Sequence, residues 1–255
     1  MGAAQIGHRL MFFPNLWHWF TTSANWHGSG GIPNRLWEHL QLCVAAVAAA
    51  AVVAIPLGLF FGHRRRGAFV ASTVVNIGRA LPSFAILAIA VITLNFGIGF
   101  WPIWLALFVL AMPPMFTNSV TAIQGVREDV LESARGMGMR PRRILTQVEL
   151  PLATPLIIAG VRTSAVQVIA TAPLGALVAW GGLGRFIIDG LSTQDFAQVT
   201  GGALLVALFS IAAELGFGLL EQRLTPGVKR RRFIPASERP DIELEPLGNT
   251  GTVGP

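Results

Sequence analysis

Apolar residues fall along this chain in long runs separated by short polar breaks: Leu40–Phe61, Ala68–Leu94, Phe100–Ile123, Leu152–Thr171 and Phe196–Leu220. Each run is close to the ~20 residues that a helix needs to cross a hydrocarbon core. Lipid offers no partner to a peptide N–H or C=O, so each run is predicted to be helical. Pro56, Gly58, Pro82, Pro113, Pro114 and Gly160 lie inside these runs. In a membrane bundle such residues allow kinks and close approach of neighbours.

The polar breaks alternate in charge. His63-Arg64-Arg65-Arg66 follows the first run, Arg127, Arg135, Arg140, Arg142 and Arg143 lie between the third and fourth, and Arg223 with Lys229–Arg232 follows the fifth. The intervening loops carry only Arg185. Basic loops stay in the cytoplasm, so the pattern predicts an N-terminus outside and a C-terminus inside. The fold expected is an all-α integral membrane protein of about five transmembrane helices, with a cytoplasmic loop between spans 3 and 4. Residues 1–37, with Trp17, Trp19, Trp26 and Trp37, are expected along the outer interface, where indoles favour the headgroup level. The glycine-rich stretch Pro173–Gly190 is expected to form a re-entrant or short helical hairpin on the outer side. Residues 38–225 then form the transmembrane domain, and 226–255 a basic, then disordered, cytoplasmic tail.

Composition agrees with the membrane reading. Hydrophobic residues make up 53% of the chain and charged residues 13%, with a mean hydropathy of +0.58. That is too little charge for a soluble surface. The net charge of +6 sits in topology-setting blocks rather than a nucleic-acid-binding stripe, so lipid is an expected partner and nucleic acid is not. Cys43 is the sole cysteine, and no Cys/His cluster has metal-ligand spacing. Met11–Phe20 is interrupted by Pro14 and His18 and makes no cleavable signal segment.

The break between spans 3 and 4 carries the most information. Asp129 three residues before Glu132 predicts a capping box opening a short helix through Met137. Gly138 is placed to stop it in a left-handed turn. Pro141 then starts a second short helix through about Gln147, and Leu150-Pro151 opens the fourth span. Two short helices joined at a glycine make a compact knob, with Arg140, Arg142 and Arg143 on its rim.

Glu132-Ser133-Ala134, three residues, Gly138, nine residues and Val148-Glu149-Leu150-Pro151 resemble the EAA loop of ABC-importer permeases, with Ser133 for an alanine and Val148 for an isoleucine. The resemblance implies that Glu132, Ser133, Ala134, Gly138, Arg140, Arg142, Arg143, Leu150 and Pro151 belong to a loop (125–151) that docks into a cytoplasmic ATPase. Leu81-Pro82-Ser83, Gly136–Met139, Ala159–Thr163 and Gly181–Ile187 follow in the order seen in permeases of osmoprotectant importers, which carry glycine betaine, carnitine, choline or proline. Membership implies a bacterial cytoplasmic-membrane permease with a second permease copy or paralogue, two ATPase subunits and a separate extracytoplasmic binding protein. A methionine-type cargo is the near alternative, since the Gly181–Gly184 element recurs there. A self-contained channel or structural membrane protein has no use for the 132–151 knob. The chain carries no phosphate-binding G-x-x-x-x-G-K-[ST] loop, so it is not expected to be an enzyme. ATP and Mg are expected on the partner ATPase, and no cofactor on this chain.

Ionisable residues inside spans are costly and mark partners or pathways. Arg162 lies roughly 15 Å in from Pro151 and Glu214 roughly 13 Å in from Arg223 at helical rise. An ion pair locking spans 4 and 5 is expected, and substrate contact by Arg162 is the alternative. Arg79, Phe84 and Trp180 are candidates for lining the pathway.

Overall fold

The computed structural model describes residues 13–65, 73, 83–93 and 97–224, all within the unit Met1–Thr225. Arg79 and the tail expected to be disordered lie outside the described residues. A helix over 13–21 (α1) is followed by α2 (Ile32–Arg64), α3 (Ser83–Thr93), α4 (Phe100–Gln124), α5 (Glu128–Gly136), α6 (Pro141–Ile144), α7 (Leu150–Thr171), α8 (Gly184–Ser192) and α9 (Phe196–Leu224). Among the described residues, four helical segments are long and apolar enough to cross a membrane: Ile32–Arg64, Phe100–Gln124, Pro141–Val178 and Phe196–Arg223. Of the run expected as span 2, the 11-residue α3 is the main described part.

Helix α2 begins at Ile32 rather than Leu40, with Pro33 in its first turn, where a missing N–H costs nothing. Polar residues that seemed to exclude this turn from the span are satisfied in place. Arg35 Nη1 and Asn34 Nδ2 donate to Glu38 at 2.9 and 3.1 Å, and His39 is buried. The helix of 33 residues is therefore ~50 Å long, longer than a hydrocarbon core.

Packing of α2 on α4 builds the main core. Ala46, Ala50, Ala54, Gly58 and Gly62 recur every fourth residue and are buried along one face of α2, which lets the two backbones approach. A Cβ on Gly58 would stand 2.5 Å from the Ser119 Cβ, and one on Gly62 2.9 Å from the Ile123 Cβ. Ile103, Leu107, Ala111, Met115 and Phe116 of α4 fill the seam above them, and Val168 and Ile169 of α7 close it. Ser164 on α7 donates to the Ala111 carbonyl at 2.8 Å.

Past α7 the chain tightens into a 3-10 helix over Ala172–Val178. Pro173 cannot donate to the Ile169 carbonyl, and His39 Nε2 takes that bond instead at 3.2 Å. The Pro173–Gly190 stretch forms two short helical pieces, the 3-10 helix and α8. Asp195 caps α9, its Oδ1 accepting the amides of Ala197 and Gln198 at 3.0 and 3.1 Å. Leu204, Leu208, Ile211, Leu215 and Leu219 form an outward apolar stripe on α9. The expectation for Trp19 is corrected. Trp17 and Trp26 are exposed, but Trp19 is buried against Ile32, Leu183, Phe186 and Val206. Its position two residues after Trp17 on α1 turns it toward the hairpin, and its ring meets Phe186 edge-on at 5.4 Å.

Candidate functional site

The loop between α4 and α7 is a small folded body with its own core. Leu131 and Ala134 of α5 are buried with Val126 and Ile144, and Met139 and Val148 pack on them. The opposite side is open: Glu132, Ser133, Gly138, Arg140, Arg142, Arg143 and Pro151 are exposed, and Leu150 is half-buried. Ala134 faces inward, so it holds the helix rather than presenting a surface. Met137, which sequence reading passed over, is 74% exposed at the tip. Glu132 makes no hydrogen bond or ion pair to any described residue.

The expected capping box does not form. Helix α5 starts at Glu128, its cap Arg127 makes no side-chain capping hydrogen bond, and Asp129 is already inside the first turn. Its Oδ1 takes the amide of Val130 at 2.9 Å, and the carboxylate pairs with Arg127. The Arg127 guanidinium holds the Asp129 carboxyl below the usual carboxylate range. Glu128 and Asp129 at the start and Arg135 at the end suit the helix dipole. The C-terminal stop is as expected. Gly138 has φ +76°, its N–H donates to Arg135 O at 2.9 Å, and the Met139 N–H donates to Ala134 O at 3.2 Å, which together make a Schellman closure.

The second short helix is also corrected. Pro141 does open it, but it does not end before span 4. The backbone passes from α6 through a π turn, Leu145–Glu149, straight into α7. The Leu150 N–H reaches back to Leu145 O. Pro151 cannot donate and its ring crowds the preceding turn; the wider π turn makes room without breaking the helix. The knob is therefore one free helix, α5, laid against the protruding root of span 4.

Both flanks of this loop are tied to α2 in a way that sequence reading missed. His63 Nδ1 lies 2.5 Å from Glu149 Oε2. Glu149 is 2% exposed and acts as acceptor, so the imidazole donates. Arg65 Nη1 lies 2.9 Å from Glu128 Oε2, and its Nη2 reaches Val126 O at 3.5 Å. Arg64 turns elsewhere, over the Phe60 ring at 4.3 Å. The sequence signal was present, as a carboxylate inside an otherwise apolar VELP string, but its partner is distant in sequence.

Within the spans the structure brings Arg162 and Glu214 together, and adds Glu221, 3.3 Å from Arg162 Nη1. This cluster is not enclosed by the chain. Side-chain exposures of 31% for Arg162, 43% for Glu214 and 32% for Glu221 put it on an outer face, because α9 contacts α7 along one side only. Phe84 is exposed on α3, at 58%. Trp180 packs edge-on against Phe100 at 5.0 Å, and its Nε1 is buried without a partner among the described residues. Neither meets the charge cluster. At the end away from the 125–151 loop, Glu38 Oε2 accepts the Gly182 amide at 2.8 Å, fixing the Gly181–Gly184 element to the start of α2.

The described residues thus form a bundle of long apolar helices with a charged, self-cored loop before the root of one of them. Residues 54–229 match the family of binding-protein-dependent transport system inner membrane components, and the chain belongs to that family. It is 37% identical over 202 residues to the choline transport system permease protein OpuBB of Bacillus subtilis, covering 79% of this chain and 92% of that protein. It is 38% identical over 192 residues to the carnitine transport permease protein OpuCB of Listeria monocytogenes, covering 75% and 87%. Among solved structures, the methionine ABC transporter MetNI in an inward-facing conformation superposes with a TM-score of 0.66 at 21% identity, over 74% of this chain and 94% of that one. An amino acid ABC transporter gives 0.61 at 18% identity, over 85% and 97%. These two likenesses are of fold. The protein is thus a multi-pass permease subunit of an ABC importer, which works with a substrate-binding protein and an ATPase.

Proposed function

We propose that this subunit forms the translocation pathway for a compatible solute of the glycine betaine, carnitine, choline or proline class, and that α5 with the α6 root docks into the ATPase. Relatives of 37–38% identity named for choline and carnitine transport support the cargo. One observation carries the docking role: α5 holds a separate apolar core beneath an outer face that leaves Glu132, Arg140, Arg142, Arg143 and Met137 uncommitted. A surface of that kind is built to be covered. Two permease subunits, as two copies or a related pair, would each carry one such loop into one of two ATPases, which bind ATP and Mg. The basic loop lies in the cytoplasm in this reading, the N-terminus outside, and a separate binding protein delivers the solute.

The Arg162–Glu214–Glu221 cluster is half-exposed inside apolar spans, where lipid is a poor cover for charge. A second permease subunit or the water of the pathway supplies that cover. The test is co-purification of the ATPase together with uptake of labelled glycine betaine, carnitine, choline, proline and methionine in vesicles. Glu132→Lys should release the ATPase and abolish uptake. Retained association would overturn the docking role, and methionine as the preferred cargo would overturn the solute class.

A further inference from the structure

We infer that the last turn of α2 is a clasp that positions the docking loop and carries its displacement along α2 to the far end of the permease; this rests on the docking role proposed above. Two residues, two positions apart, grip both flanks of the loop. His63 holds Glu149 at the end of the π turn, and Arg65 holds Glu128 at the start of α5. Arg65 leaves the helix with φ 52°, its N–H still bonded to Gly62 O at 3.2 Å. That left-handed exit separates the two side chains so that they address opposite flanks. The buried end of the clasp is the stiff one. Glu149 is enclosed and its imidazole donor short, whereas Arg65 and Glu128 are 42% and 48% exposed, as a grip that must flex would be.

Helix α2 is fit to carry a push. The Gly58 and Gly62 contacts seat it on α4 with no room for sliding, and interiors so packed transmit strain. At its other end Glu38 holds the Gly182 amide. Between Glu38 and His63 lies a continuous helical stretch of ~38 Å at helical rise, with Pro56 inside it. A tilt of the docking loop is thereby delivered to the Gly181–Gly184 element, with His63, Arg65 and Glu38 as positioning residues.

The experiment uses the complete transporter in vesicles, with a nitroxide on Leu57→Cys in a Cys43→Ala background. Adding ATP and vanadate should change the nitroxide spectrum. His63→Leu with Arg65→Ala should keep the ATPase bound and active but reduce the responding fraction at least tenfold, and lower solute moved per ATP in parallel. His63→Asn, whose amide nitrogen can stand in for Nδ1, should restore most of the response, which a loss of mere packing would not. Should the double variant not assemble, Arg65→Ala alone leaves the buried pair intact and should reduce the response two- to fivefold. A full spectral response in these variants, or none in the intact protein, overturns the clasp. An ATPase that stays bound to Glu132→Lys overturns the docking role instead, so the two failures are distinct.

Discussion

Glu149 and Glu214 each link distant helices, in opposite surroundings. Glu149 meets His63 at 2% exposure, at the root of the docking loop. Glu214 meets Arg162 at 43% side-chain exposure, within spans whose neighbouring surface is Leu208, Ile211 and Leu215. The chain completes and encloses the first pair itself. It leaves the second open, where lipid cannot cover it cheaply. A finished contact belongs to the subunit's own architecture, and an unfinished one points to what the subunit meets.

The largest effect should come from breaking the finished pair. His63→Leu leaves the Glu149 carboxylate enclosed and unpartnered, which should cost about 3–5 kcal/mol in a denaturant titration of the purified chain. The double variant His63→Leu with Glu149→Leu should recover most of that. Equal loss in single and double variants would mean the pair is not a coupled unit.

Arg162→Ala and Glu214→Ala should behave differently. In the isolated chain their coupling should be small, because both groups are reached by solvent. In the assembled transporter each should lower uptake or assembly several-fold, with partial recovery in the double variant. Strong coupling already in the isolated chain would erase the contrast. Gly138→Ala should cost about 1–2 kcal/mol, the penalty for a Cβ at positive φ, and weaken ATPase association, with Gly138→Asn milder; equal association in all three would remove the turn from the docking geometry. The smallest effect should be that of salt. Raising ionic strength should loosen the exposed Arg65–Glu128 pair by less than about 1 kcal/mol and leave the His63–Glu149 pair unchanged, as read by double-mutant cycles at low and high salt.

Much of this was legible in the sequence because it depends on local chemistry. Apolar runs of span length located four long helices, Gly138 announced its left-handed turn, and the loop motif announced a structured break between spans. What was illegible depends on pairing across the fold. The apolar neighbours of Glu149 hint at burial, but nothing near it names its partner, which is 86 positions away. The start of α2 was misplaced because Glu38 and His39 look like polar ends, yet each is satisfied by a remote backbone group, the Gly182 amide and the Ile169 carbonyl. Trp19 looked interfacial because its burial depends on α8 and α9 folding over it. The Asp129–Glu132 spacing fitted a cap, but the helix began two residues early, with Arg127 at the cap.

The π turn at Leu145–Glu149 fixes a rotational phase. An α-helix advances ~100° per residue, and a turn closed five residues back holds one residue more than an α turn. The faces of α6 and α7 are therefore offset by about that angle from where an unbroken α-helix would set them. Retightening 145–149 into α turns with no residue removed would swing the exposed arginines of the root around the axis by roughly a quarter turn, while Arg162 stayed opposite Glu214. The width of one turn can in this way set the bearing of the loop's arginines against the charge cluster further along the same helix, leaving every side chain of the span where it was.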